Sequence, residues 1–278
     1  RGDRIVFTRD AGGSEFAQIF LMDPESGAAT MLTDGESRNG AVAWDRDGRR
    51  IAYQSTARNA AASDVWLMSP GNPQGAEIVI ESQDGTWWGP AEFSASGSRL
   101  LATNYVSITD SRAYVVDLDT GSATLLAGGP GKEGVNYPVA FDDGNDGYWL
   151  ITNQGSEFQR LAWQPLEPGA GVEVVTGDID WDVSGAIVSR DRKRMAFVVN
   201  ENGRSAVYLL DPRSRKYRRV DNIPTGVAGN MAFSPDGRRL AMTLNTATTP
   251  SDTFVLELGK GALDHGALTR WTLSEVGG

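Results

Sequence analysis

The sequence predicts an all-β fold, a β-propeller of about six four-stranded blades, the first lacking its innermost strand. Three observations predict it. One turn motif recurs along the chain, most clearly as Phe233-Ser234-Pro235-Asp236-Gly237-Arg238-Arg239-Leu240-Ala241 and Trp44-Asp45-Arg46-Asp47-Gly48-Arg49-Arg50-Ile51-Ala52. Weaker copies run from Phe93 to Leu101, Phe141 to Leu150 and Val188 to Ala196, and a shortened one occupies Arg1 to Val6. Second, the apolar residue after each turn (Ile5, Ile51, Leu100, Trp149, Met195, Leu240) recurs at spacings of 46, 49, 49, 46 and 45, the length of a four-stranded blade. Third, segments such as Leu240 to Leu244 and Thr253 to Leu258 are apolar at successive positions rather than at helical spacing. Both faces of such a strand are buried, as between stacked sheets.

The propeller is expected over residues 1–272, with blades near 1–36, 37–83, 84–130, 131–178, 179–223 and 224–272. Within a blade the strands are lettered A to D from the axis outward. The Asp-Gly turn joins A to B as a tight hairpin in which Gly supplies the positive φ. The C–D turns read Asp23-Pro24-Glu25-Ser26-Gly27, Asp117-Leu118-Asp119-Thr120-Gly121 and Asp211-Pro212-Arg213-Ser214. In the last blade the strands are expected near Val227–Phe233, Arg239–Leu244, Thr253–Leu258 and Leu268–Trp271. Arg1 already lies in the A–B turn of the first blade, so a preceding segment or another stretch of chain is expected to complete it. Residues 273–278, ending in Gly277-Gly278, read as the start of a linker to a further domain.

Composition narrows the function. The net charge of −10 repels phosphate backbones, so no nucleic-acid partner is expected. No apolar run reaches 18 residues, so no membrane partner is expected either. With no cysteine, thiol nucleophiles and cysteine metal sites are excluded. The cytoplasm is the expected compartment, with the periplasm as the alternative. The single histidine, His265, falls between Asp264 and Gly266 in the last C–D turn and reads as a solvated turn residue. No Gly-x-Ser-x-Gly elbow is present, so the chain carries no catalytic triad of its own.

Several motifs have a plain structural reading. Asp142-Asp143-Gly144-Asn145-Asp146-Gly147 resembles a calcium loop, but Gly144 and Asn153 stand where an acid or amide and a Glu are needed. It reads as an enlarged A–B hairpin, and no metal or cofactor is expected. Arg1-Gly2-Asp3 matches an adhesion tripeptide yet aligns with the recurring turn. Arg213, Arg215, Lys216, Arg218 and Arg219 fall on a C–D turn and an outer strand. There they protect a sheet edge, or else form an anion or partner site.

The B–C and D–A loops emerge at one end of a propeller and here are polar and aromatic. Arg58, Asn59, Tyr105, Glu157, Phe158, Arg160, Asn200 and Glu201 lie in expected B–C loops. Trp87, Trp88, Trp181 and Asp182 lie in D–A loops. Aromatic and Arg residues gathered at one mouth bind a peptide by ring contacts and by pairing with its charged end. The alternative is that the rings cap blade packing while Asn and Asp bond loop backbone.

The segments Arg9-Asp10 with Ser14-Glu15-Phe16, Ser55 to Asn59, Asp84 to Pro90, Ser156 to Phe158 with Arg160-Leu161, Trp181 to Val183, Asn200 to Gly203, Pro250 to Asp252 and Leu268 to Gly278 together resemble the propeller of the prolyl oligopeptidase family of serine peptidases, in its acylaminoacyl and dipeptidyl peptidase-like branch. The resemblance implies a non-catalytic propeller that gates and helps to bind short peptides. It also implies an α/β-hydrolase domain beyond Gly278 that supplies Ser, Asp and His. It places Arg58 in a loop that reaches substrate, with Glu81 and Asp84 in the matching D–A loop. The adjacent acidic pair of the dipeptidases is not evident, which leaves aminodipeptidase specificity unassigned. The alternatives are a free-standing interaction propeller resembling that of the periplasmic Tol system, and a propeller enzyme with its own site. The latter needs convergent acids, metal ligands or several histidines.

Overall fold

The computed structural model describes residues 4–274. The readings placed on Arg1-Gly2-Asp3 and on the tail from Glu275 onward fall outside these residues. The described chain is all β and contains no helix. Six antiparallel sheets follow one another in sequence, as the blades of a β-propeller. The first has three strands: β1 (Ile5–Arg9), β2 (Gln18–Met22) and β3 (Ala29–Met31). The other five have four each. The second comprises β4 (Asn39–Trp44), β5 (Ile51–Ser55), β6 (Asp64–Ser69) and β7 (Asn72–Ile80), and the third β8 (Trp87–Phe93), β9 (Arg99–Ser107), β10 (Asp110–Asp117) and β11 (Ala123–Ala127). The fourth comprises β12 (Asn136–Phe141), β13 (Gly147–Thr152), β14 (Arg160–Pro165) and β15 (Glu173–Val174). The fifth is β16 (Asp182–Val188), β17 (Met195–Glu201), β18 (Arg204–Leu210) and β19 (Tyr217–Arg219), and the sixth β20 (Val227–Phe233), β21 (Arg239–Thr246), β22 (Thr249–Leu258) and β23 (His265–Arg270).

The chain divides into two compact units, Arg1–Phe141 with Leu166–Ala170, and Asp142–Pro165 with Gly171–Gly278. In the first unit, one core cluster joins Ile19 and Leu32 of the first sheet to Ile51, Tyr53 and Met68 of the second. Another joins Ala52, Val65, Leu67 and Ile80 of the second to Phe93, Leu100, Ala102 and Val116 of the third. In the second unit, Val198, Val207 and Leu209 of the fifth sheet pack on Leu240, Met242, Leu244 and Leu256 of the sixth. Each cluster therefore draws on two successive sheets, which is why these strands are apolar on both faces. Each fully buried Leu or Ile contributes about 2 kcal/mol to this packing.

Five of the six anchor residues are buried: Ile51, Leu100, Met195 and Leu240 at 0% exposure and Trp149 at 1%. Ile5 is the exception at 44%: among the described residues β1 is hydrogen-bonded to β2 alone, and the first core cluster recruits Val6 and Leu21 instead. The recurring turn is closed by its first side chain. Ser94, Ser189 and Ser234 hydroxyls accept the N–H of Arg99, Arg194 and Arg239. Asp45 and Asp142 carboxylates accept from Arg49 and Asp146 in the same way. Residues 142–147 accordingly form an A–B hairpin, with Asp142 N–H donating to the Gly147 carbonyl.

The Arg before the anchor reaches the next sheet. Arg50 donates to the Gly97 carbonyl at 2.6 Å and lies over the Phe93 ring. Arg99 lies over Phe141. Arg194 donates to the carbonyls of Gly259, Lys260, Gly261 and Ala262.

The structure corrects several sequence expectations. The third, fifth and sixth B–C connections are tight hairpins, so Tyr105, Asn200 and Glu201 stand in strands rather than loops. Trp87 and Trp88 open β8, and Asp182 opens β16. Only the first, second and fourth sheets carry longer B–C loops. His265 is not a solvated turn residue: it begins β23, its side chain is 8% exposed, and its Nε2 lies 3.6 Å from Asp221 Oδ1.

Candidate functional site

The first unit holds a cleft of about 490 Å³, built where two B–C loops meet the start of β8. Residues 10–17 form the first loop. Gly12, Gly13 and Glu15 adopt positive φ, and the Asp10 carboxylate accepts the Glu15 N–H, which turns the chain sharply before Phe16. Residues 56–63 form the second. Asn59 Oδ1 accepts the N–H groups of Ala61 and Ala62, and Ser63 makes a parallel bridge to Trp87.

Phe16 and Trp87 line the cleft and remain 44% and 51% exposed. The Arg38 guanidinium lies 5.3 Å from the centre of the Phe16 ring and 3.9 Å from Glu15 Oε2, a loose pair open to solvent. Polar lining comes from Asn39, Gln54, Thr56 and Ser63. Gln54 Nε2 donates to Ser63 Oγ at 2.6 Å, while Asn39 Nδ2 donates to the carbonyls of Ala17 and Ser37. Two open aromatic faces with one charge of each sign suit a short extended chain with apolar side chains and a charged group.

The residues expected at the site meet different fates. Arg58 donates through Nε and one terminal nitrogen to the fully buried Asp64, through the same nitrogen to the Ser82 carbonyl, and pairs with Glu81 at 3.0 Å. Its hydrogen bond to Asp64 holds the guanidinium above its usual range. Asp84 is lowered by the hydroxyl and the N–H of Thr86. These groups tie one B–C loop to its D–A connection. Asn59 caps its own loop. Trp87 is the one expected residue that lines the cleft; Tyr105 tilts against it at 6.5 Å, and Trp88 packs on Tyr114 at 4.7 Å.

In the second unit, Arg160 donates to Ser156 Oγ and to the carbonyls of Thr176, Gly177 and Ile179, beside Phe158. Asp182 accepts the Gln159 N–H, and Asn200, opposite it in the ladder, accepts the Gly203 N–H. Glu201 accepts from Tyr208 and Arg219. Glu157 and Trp181 are exposed. Sequence reasoning left Phe16, Arg38 and Glu15 out of the site. An exposed aromatic inside a Gly-rich polar loop was the available signal for Phe16.

No group of three or more His, Cys, Asp or Glu capable of holding a metal ion occurs among the described residues.

Comparison with known proteins gives this geometry its setting. Dipeptidyl-peptidase 5 of Porphyromonas gingivalis is 24% identical over 263 residues, covering 89% of this chain and 36% of the relative. The chain thus spans about a third of that protein. Among solved structures, TolB from Acinetobacter baumannii superposes with a TM-score of 0.70 at 16% identity, over 95% of this chain and 63% of that one. A prolyl endopeptidase superposes with a TM-score of 0.64 at 15% identity, over 98% of this chain and 48% of that one. At such identities these two show a shared fold. The model of the prolyl oligopeptidase N-terminal β-propeller domain matches residues 1–264, and the chain belongs to that family.

Proposed function

We propose that this chain is the non-catalytic propeller of a serine peptidase, and that it binds short peptides in the first-unit cleft and limits which reach the catalytic centre. An α/β-hydrolase domain, the partner that the family implies, would supply Ser, Asp and His. The observation that carries the reading is the cleft itself, where Phe16 and Trp87 stay open beside the loosely paired Arg38 and Glu15. An aromatic ring left half-exposed in a concave polar site is the usual anchor of a peptide contact.

The test is titration of the chain with short peptides, measured by isothermal titration calorimetry. Phe16→Ala and Trp87→Ala are each expected to weaken binding by about tenfold, as for anchor residues costing more than about 1 kcal/mol, with the melting temperature unchanged. Serine-reagent-sensitive peptide cleavage by the 278-residue chain alone would refute the non-catalytic role. Binding of a folded protein at the cleft, with no affinity for short peptides, would favour a free-standing interaction propeller instead.

A further inference from the structure

The fifth sheet is charged unlike the rest of the molecule. From Asp182 to Arg219 it carries ten Lys and Arg against four Asp and Glu, a net of +6, while the remaining residues carry 16 against 32. Eight of the ten are Arg. In an antiparallel sheet of order β16-β17-β18-β19, the A–B and C–D turns emerge at the same end. Those turns hold Arg190, Arg192, Lys193 and Arg194, and Arg213, Arg215 and Lys216. Arg194 is bound to the carbonyls of residues 259–262, which brings Lys260 alongside. Arg215 pairs with Glu173 and lies over Trp163. Arg190, Lys193, Arg213, Lys216 and Arg218 are exposed. The two acids of these turns are committed to their own backbones: Asp191 accepts from Lys193 N and Asp211 from Arg213 N.

Protection of an outer strand does not account for this. The other outer strands, β3, β7, β11, β15 and β23, carry one cation between them, Arg270, which is paired with Asp252. Edge protection also has no use for cations in the turn between the innermost strands.

We propose that the A–B and C–D turns of the fifth sheet form a docking surface for an acidic polypeptide segment. Arg-rich clusters grip carboxylates in bidentate fashion. A short segment touches one sheet and is steered to it by the local field. A long polyanion or a charged bilayer also meets the −16 of the remaining surface.

The experiment measures fluorescence anisotropy of a fluorescein-labelled oligoglutamate peptide with the full 278-residue chain. Binding is expected at about 50 mM salt and is expected to fade by about 300 mM as screening shortens. The triple variant Arg213→Glu, Lys216→Glu, Arg218→Glu is expected to bind about tenfold more weakly, the loss of several surface ion pairs. The corresponding Gln triple is expected to fall between it and the parent, and circular dichroism should show both folded. A control triple in the first unit, Arg46→Glu, Arg49→Glu, Lys132→Glu, changes net charge equally and is expected to bind within about twofold of the parent, since it leaves the fifth sheet's own charges in place. Equal losses in the two Glu triples would overturn the proposal. So would no binding at low salt, tighter binding to single-stranded RNA or phosphatidylserine vesicles, or self-association of the chain abolished by the same three substitutions.

Discussion

One hydrogen bond recurs at the outer end of several sheets and allows a graded test of what holds them together. A residue of strand C donates its N–H to a Thr hydroxyl just past strand D: Ile19 to Thr33, Leu161 to Thr176 and Thr253 to Thr272, at 3.0, 3.0 and 2.8 Å. The geometry is the same, but the exposure is not. Thr176 is fully buried, Thr33 half-buried and Thr272 exposed. Replacing Thr by Val keeps the shape and removes the acceptor. At position 176 no water reaches the orphaned Leu161 N–H, and an unsatisfied buried donor costs about 1–3 kcal/mol. Thr176→Val is therefore expected to lose about 2 kcal/mol, lowering the melting temperature by about 4–8 °C for a chain of this size. Thr272→Val is expected to lose under about 1 kcal/mol, because solvent replaces the hydroxyl at the Thr253 N–H and Ser274 still donates to the Asp252 carboxylate that Thr272 also serves, and Thr33→Val should fall between. Urea titration with unchanged slope is the assay. Equal losses at the three positions, or a larger loss at 272 than at 176, would show that burial does not set the worth of this contact.

Other expectations follow from single sites. Burial raises the Asp252 carboxyl, but the Ser274 N–H, the Arg270 guanidinium and the Thr272 and Ser274 hydroxyls outweigh it and hold its pKa at about 2. A depressed carboxyl stabilises the fold above its unfolded value near 4, and that stability is lost as pH falls toward 2. Asp252→Asn should therefore flatten the acid limb of a stability-against-pH curve over that window. Gly147→Ala is expected to cost about 1–3 kcal/mol by overpacking, because a Cβ there meets the Trp163 indole at 2.4 Å; a melting temperature equal to the parent's would contradict it. Arg58→Ala should lower thermal stability while leaving peptide affinity of the folded protein unchanged. Trp87→Ala should do the reverse, so peptide titrations and melts of the two variants separate tie from contact.

The fold was legible because its signals are local. A turn motif and two-faced apolar strands each span ten or so residues, and repetition of the motif along the chain marks the sheets; the strands observed around β20 to β23 begin or end within a few residues of the expected ones. The site was less legible because a polar side chain's partner is usually remote in sequence. Arg58 looks available in the sequence, yet its partner Ser82 lies 24 residues on and closes it off. Arg160 is held the same way by carbonyls 16 to 19 residues away. Tyr105 and Asn200, expected in loops, stand in strands because pairing with the neighbouring strand lengthens both hairpins. Phe16 was passed over because one aromatic in a loop has no periodicity to mark it.

The Arg placed just before the anchor, at positions 50, 99 and 194, has a consequence for ancestry. These three copies of the motif carry a clasp for the next sheet: a guanidinium that grips either a ring or backbone carbonyl oxygens, depending on what that sheet offers. A module equipped in this way can be duplicated or lost by recombination between copies without redesign of its neighbours.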